Sequence, residues 1–293
     1  MVCRVCGGET VIRGLDFTRH GSVWLFVSVP AACPTSIVTR LVVADSRFAG
    51  GPTVDVPNGD LVHIVATGRI LDRTFADDTF DGRFAPSKPG TMEALQVDAY
   101  NGNETWLRDA FINIPGRPVS DGFGQAASLG HNVFLAEALY LSGMTLAASG
   151  DHGELFEFGK SRPGAVPVQM TYRHNVLIAP AAPASNTALL WLGSGDHSGP
   201  LDIETLTLDG NVLIAEPYGK KGTTSRIIGM AYAKIARLVA VHNAIWPRGA
   251  SYCILNEKGD VMRASFKDNI NLFNGSKISG FDGYAGTCPG TRR

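Results

Sequence analysis

Four of the seven histidines fall into two matched pairs, each pair at the same place in a copied motif. His131 and His174 open the hexads His131-Asn132-Val133-Phe134-Leu135-Ala136 and His174-Asn175-Val176-Leu177-Ile178-Ala179. His152 and His197 close two copies of Ser-Gly-Asp-His, beside Asp151 and Asp196. An aspartate next to a histidine fixes its tautomer and raises its basicity, so these pairs have the composition of acid–base groups or metal ligands. Their duplication points the other way. A catalytic centre converges once from unlike residues, whereas a residue copied from unit to unit serves a task repeated in each unit. Asp151 and Asp196 are therefore expected to close equivalent turns by bonding the backbone, with His131, His152, His174 and His197 as structural companions.

The other chemistry-bearing groups are weaker. Asp77, Asp78 and Asp81 lie in one acidic stretch with Asp72, a pattern that suits a solvated loop and, less often, a calcium site or a glycosidase carboxylate pair. Lys220, Lys221 and Arg226 make a basic loop, a contact point for a ligand or partner. Cys3 and Cys6 have the spacing of half a zinc ribbon, but a structural zinc site wants a second such pair and the chain has none. Five scattered cysteines, Cys3, Cys6, Cys33, Cys253 and Cys288, do not form a disulfide framework, so free thiols are expected. Between Gly153 and Gly159 the glycine spacing is one residue too long for a phosphate-binding loop, and its letters alternate as a strand. Gly-x-Ser-x-Gly does not occur. Trp106, Trp191 and Trp246 are available for sugar stacking, with Trp246 the one assigned to a ligand or partner loop. No catalytic residue, cofactor or metal is assigned.

What positions these residues is a repeat. The hexad recurs a third time, without its histidine, as Gly210-Asn211-Val212-Leu213-Ile214-Ala215. Short Val, Ile, Leu and Phe runs bounded by Gly, Pro, Asn and Asp read as strands throughout, and long helical periodicity is missing. A strand, a second strand, the turn 149–153 and an alternating strand over 154–158 read as a meander. Copied units of roughly 36–45 residues mark a propeller or a solenoid, and the meander selects a propeller. The expected fold is an all-β, single-domain β-propeller of five to six blades, over 21–59, 60–102, 103–130, 131–173, 174–210 and 211–266. Segments 1–20 and 267–293 are expected to close the ring by pairing.

The run Ile227-Ile228-Gly229-Met230-Ala231-Tyr232-Ala233-Lys234-Ile235-Ala236-Arg237-Leu238-Val239-Ala240-Val241-His242, continuing through Tyr252 to Asp260, resembles blades of sialidase-like, Asp-box-type propellers of bacteriophage tail proteins. The likeness is one of rhythm over the last two thirds of the chain. No complete Asp-box, Ser-x-Asp-x-Gly-x-Thr-Trp, occurs, so the resemblance implies a fold and a phage virion but transfers no active site.

Composition adds bounds. Charged residues are 18%, below the roughly 25% of average soluble proteins, which suits a surface partly covered in an oligomeric assembly. A net charge of −1 provides no basic field for nucleic acid, and no apolar run reaches the roughly 18 residues of a membrane span. The start lacks the pattern of a secretory signal. The functional expectation is a non-enzymatic structural or adaptor subunit of a phage virion, made in the bacterial host cytoplasm, placed in the tail and bound to other virion or tail proteins. The alternative is a propeller that binds or hydrolyses a host surface glycan.

Overall fold

The computed structural model describes residues 1–17, 25–49, 62–66, 69–81, 92–98, 102–113, 116–121, 133–142, 153–158, 167–178, 187–193, 201–214, 225–230, 232–246, 254–256, 260–272 and 274–280. Every regular element among them is a strand, and none is a helix able to cross a membrane. The chain visits three sheets in strict rotation.

The first sheet takes Val2–Arg4, Leu25–Ser28, Val62–Val65, Met92–Asp98, Gly116–Asp121, Gly153–Phe158, Thr187–Leu192, Ser225–Met230 and Ile254–Asn256, in that order. The second takes Gly8–Arg13, Val38–Ala44, Ile70–Ala76, Glu104–Leu107, Val133–Glu137, Val168–Arg173, Leu201–Asp209 and Ala233–Val241, then Asp260–Val261 and Ala264–Lys267 side by side on the last of these. The third runs from Asp16–Phe17 through Arg47–Ala49, Thr79–Asp81, Ala110–Ile112, Tyr140–Ser142, Val176–Ile178, Val212–Ile214 and Ala244–Trp246 to Asn269–Asn271. Neighbours are parallel, except that Lys277–Ile278 folds back antiparallel on Asn269–Asn271 and ends the third sheet.

This architecture is a parallel β-solenoid, and it corrects the expected propeller. A blade pairs consecutive strands of the chain, antiparallel, within one small sheet. Here consecutive strands lie in different sheets, and each pairs with its counterpart one turn later, as Leu25 does with Val62. Blade boundaries at 59, 102, 130, 173, 210 and 266 do not divide such a structure. Nor does the ring close: Val2–Arg4 and Ile254–Asn256 sit at opposite ends of a nine-stranded sheet.

The error in the repeat explains the error in the fold. Val176 to Ile178 and Val212 to Ile214 are equivalent third-sheet strands in register with each other. Val133–Glu137, the body of the hexad that His131 opens, is a second-sheet strand and pairs with Val168–Arg173 instead. Two of the three hexads are true copies, 36 residues apart, and the third is a chance match between different sides of the coil.

Alternation places the core. Along Val168–Arg173, Val168, Met170 and Tyr172 are buried while Gln169, Thr171 and Arg173 are part-exposed. Register then stacks like upon like from turn to turn. Phe17, Phe48, Phe80 and Phe111 form one inward column, with ring centroids 5.2, 5.2 and 4.7 Å apart, and Leu141, Leu177 and Leu213 continue it. Burying each such side chain contributes roughly 1.5–3 kcal/mol, and offset aromatic pairs add to that.

Candidate functional site

The most ordered polar feature lies where the second sheet hands the chain to the third. Each crossing takes two residues, except the last, where Asp268 alone separates Ala264–Lys267 from Asn269–Asn271. The first is left-handed: Gly14, Asp45, Asp77, Arg108, Ala138, His174, Gly210, His242 and Asp268 all have φ between 51° and 67°. Such backbone disfavours side chains by about 1–2 kcal/mol, so the corner must be held from outside.

The second corner residue does the holding. Asn175, Asn211, Asn243 and Asn269 are buried, one above the next. Asn211 Oδ1 accepts both the backbone N–H and the side-chain amide of Asn175, each at 3.0 Å. Asn243 does the same for Asn211 at 2.9 Å, and Asn269 for Asn243 at 2.9 and 2.8 Å. Each Nδ2 also donates to a backbone carbonyl of the preceding turn, those of Ala136, Tyr172, Leu208 and Ala240. Asn175, Asn211 and Asn243 therefore each use an acceptor and two donors, and Asn269 an acceptor and a donor, in a buried place, which is the condition for burying such a group.

Toward the N-terminus the same position holds other residues. Asn175 Oδ1 still accepts the Leu139 N–H at 2.8 Å, but the leucine has no oxygen to pass on. Asp109 Oδ1 accepts the Asp78 N–H, and Asp78 Oδ1 the Ser46 N–H, both at 2.8 Å. Ser46 Oγ accepts the Leu15 N–H at 3.2 Å and donates to the Ala44 carbonyl at 2.8 Å. The second carboxyl oxygens of Asp78 and Asp109 are buried with no hydrogen-bond partner. Burial is the main cause that pushes the Asp78 carboxyl up to about 7, against the pull of the Ser46 and Ala76 backbone, and Asp45 and Asp77 add to the rise. Burial likewise raises Asp109 well above the usual carboxylate range, with Asp78 and Asp77 contributing.

The three acidic residues expected to share a loop are thus divided by the corner. Asp77 is exposed and takes a two-pronged bond from Arg108, at 2.7 and 2.6 Å, which holds its carboxyl below the ordinary value. Asp78 is in the ladder. Asp81 is buried at the end of Thr79–Asp81, where the Asn113 side-chain amide donates to it at 3.4 Å. They form neither a solvated loop nor a cation cage, and no metal-binding cluster exists among the described residues.

Of the histidine and aspartate pairs, only His174 lies within the described residues. It is a left-handed corner residue whose ring covers Gly210, where an added Cβ would come within 2.7 Å of its Cδ2. His131, Asp151, His152, Asp196 and His197 lie outside the described residues, as do Lys220 and Lys221. Arg226 is on the first-sheet strand Ser225–Met230 rather than in a loop. Cys6 is disulfide-bonded to Cys33, which corrects the expected free thiols at these two positions; Cys3 is free and part-buried. Cys253 and Cys288 lie outside the described residues.

The tryptophans do not share a mouth. Trp106 is in the core, where its Nε1 donates to Glu104. Glu104 also receives Arg73 Nε and Nη2 at 2.8 and 2.5 Å, a fully buried ion pair between adjacent turns. Trp246 is part-exposed on a third-sheet strand. Trp191 is on the outer side of the first sheet, with its ring over Gly229; a Cβ there would lie 2.4 Å from Cε3.

The outer face of the second sheet carries the most ordered surface rows. Val42, Thr74, Thr105, Leu135, Thr171 and Thr207 lie in one register line. A parallel line of Glu9, Arg40, Asp72 and Asn103 borders a shallow groove of about 230 Å³. Asp72 Oδ1 accepts the Asn103 N–H at 2.9 Å, and Asn103 Oδ1 the Val133 N–H at 3.0 Å. Sequence reasoning passed over the copies at His242-Asn243 and Asp268-Asn269; the available signal was a polar Asn, Asp or Ser between an alternating strand and a three-residue apolar-centred one. No family model matches the chain, and neither a curated protein nor a solved structure matches it.

Proposed function

We propose that the chain is a non-enzymatic scaffold subunit whose stacked faces dock other proteins. One observation carries this reading: on the outer face of the second sheet Val42, Thr74, Thr105, Leu135, Thr171 and Thr207 stand in one line at strand spacing, about 4.8 Å, a row of threonine and aliphatic side chains that a partner can follow over a long contact. Most of the almost fully buried polar groups among the described residues hold the backbone, in the corners, in the Arg73–Glu104 pair and at Thr39, whose Oγ1 accepts the Gly7 N–H. The setting we favour is a bacteriophage virion, in its tail, where such a subunit serves assembly or host attachment. The Cys6–Cys33 disulfide suits a protein made in cytoplasm that works after release into oxidising surroundings. Mass measurement and electron microscopy of the purified chain test the proposal. Defined oligomers or particles are expected, and a protein that stays monomeric at every concentration and joins no larger assembly contradicts it.

A second reading, glycan binding, is favoured by the Trp191 ring lying along the outer side of the first sheet, a flat surface of the kind sugars stack on. On a glycan array the protein should give a signal that Trp191→Ala abolishes; no signal from the parent protein removes this reading.

A further inference from the structure

The corner ladder is built for a group that both accepts and donates. From Asn175 to Asn269 each side chain accepts the N–H of the turn before through Oδ1 and donates through Nδ2 to a backbone carbonyl of that turn. Asp78 and Asp109 occupy the same position with the same acceptor geometry, but where the asparagines carry Nδ2 they carry an oxygen. Those two oxygens are buried and unpartnered, and the side chains are about 1% exposed. Extending the asparagine register, the carbonyls expected opposite them are those of Val43 and Phe75, which stand to Ser46 and Asp78 as Ala136 and Tyr172 stand to Leu139 and Asn175. A carbonyl opposite a carboxylate oxygen is repulsive; opposite a carboxylic acid it is a hydrogen bond.

We propose that Asp78 and Asp109 form a protonation-controlled joint in the solenoid: as neutral acids they complete the ladder as asparagines do elsewhere, and as carboxylates they loosen the turns that contain them. The surrounding charges support the neutral form. Asp45 and Asp77 sit at the adjacent left-handed corner positions and disfavour further negative charge. The cations nearby are engaged outside, Arg13 with Asp45 at 3.1 Å and Arg108 with Asp77 at 2.6 Å. Glu137 lies beyond Arg108, and Arg47 and Asp81 lie on the third-sheet strands that leave these corners. No described cation reaches the two buried oxygens.

The direction of the pH effect follows from linkage. The folded protein holds the Asp78 proton up to about pH 7, whereas the unfolded chain releases it near 3.8. Between those values the native state binds more protons, so stability is full below the lower one and is lost as pH rises through the higher one. This is opposite to the usual salt-bridged carboxylate.

The test uses the full chain, followed by thermal unfolding and by hydrogen exchange at the corners over residues 44–47, 76–80 and 107–111, at about pH 5 and about pH 8. The parent protein should melt several degrees lower at the higher pH, with faster exchange at these corners. Asp78→Asn combined with Asp109→Asn should remove that difference and raise the melting temperature at the higher pH. Asn211→Asp should create a similar pH dependence at its own corner, including the case in which it folds only at the lower pH. A double variant that keeps the parent's pH dependence overturns the proposal, and so does one that fails to fold at neutral pH, since an amide is the group this position is built for.

Discussion

At the residue scale, the structure turns on one side chain per turn. The Asn211 side chain takes part in four hydrogen bonds: it accepts two from Asn175 and gives one each to the Tyr172 carbonyl and Asn243 Oδ1. Asn211→Ala takes the acceptor from the buried Asn175 N–H, removes one of the two bonds of the Asn175 amide, and removes the bond to the Tyr172 carbonyl. At about 1–3 kcal/mol for an unsatisfied group, the loss should be at least about 2 kcal/mol, read by chemical denaturation. Asn211→Ser, which keeps an oxygen as Ser46 does, should lose less. The residues of this ladder were visible in the sequence without their role. Asn175 and Asn211 stand in the quoted hexads, where His174 beside Asn175 has the richer chemistry and Gly210 beside Asn211 has none. Asp78 was noticed for its charge and read as solvated. Sequence shows that a carboxylate is present, while burial, which decides what it does, comes from the turns above and below.

At the element scale, two-residue corners and short parallel strands account for the fold. A left-handed residue lets the chain turn while its N–H bonds to the next turn, as Asp45 does to Ala76 and His174 to Asp209. Ala138 occupies that position with φ 57° and an exposed side chain that makes no corner contact to replace. Ala138→Gly should therefore stabilise by about 1 kcal/mol, read as a raised denaturation midpoint. Gly210→Ala should destabilise, because its Cβ would strike the His174 ring. Strand existence was legible in the sequence: the alternating strand expected over 154–158 lies within the observed Gly153–Phe158. Pairing was not. Parallel and antiparallel strands share the same alternation when one face is buried, so a meander and a coil give nearly the same string of letters. Only the two-residue corner separates them, and it carries few glycines here because seven of its nine positions are other residues.

At the whole-molecule scale, stacking makes stability nearly a sum of turns and their interfaces. The Cys6–Cys33 bond links the run-up to the first two second-sheet strands across 27 residues. Replacing both cysteines by serine should cost about 2–4 kcal/mol in a chain that unfolds as one unit. If the turns unfold separately, hydrogen exchange should show that loss confined to the N-terminal turns. The low charge content also finds a cause within the chain. Val and Thr rows on the outer second sheet lie a strand apart and half cover one another, as with the part-buried Thr74, Thr105 and Thr171, so a polar exterior needs fewer ions. That a unit repeats was legible; its period was not, since corner residues one turn apart lie 26–36 residues apart rather than 36–45, and a propeller and a solenoid both stack units that cannot bury their own faces.

The central claim, a linear stack rather than a ring, is tested most directly by distances along one face. With Cys3, Cys253 and Cys288 replaced by serine and the Cys6–Cys33 disulfide kept, spin labels are placed in pairs at Val42 with Thr105, Thr171 or Val239. These are two, four and six strand steps apart in the second sheet. Double electron–electron resonance should give separations that grow in equal increments, about 10, 19 and 29 Å at about 4.8 Å per strand. A separation that levels off or shrinks at the longest pair, as a closed ring requires, contradicts the solenoid and the corner ladder with it.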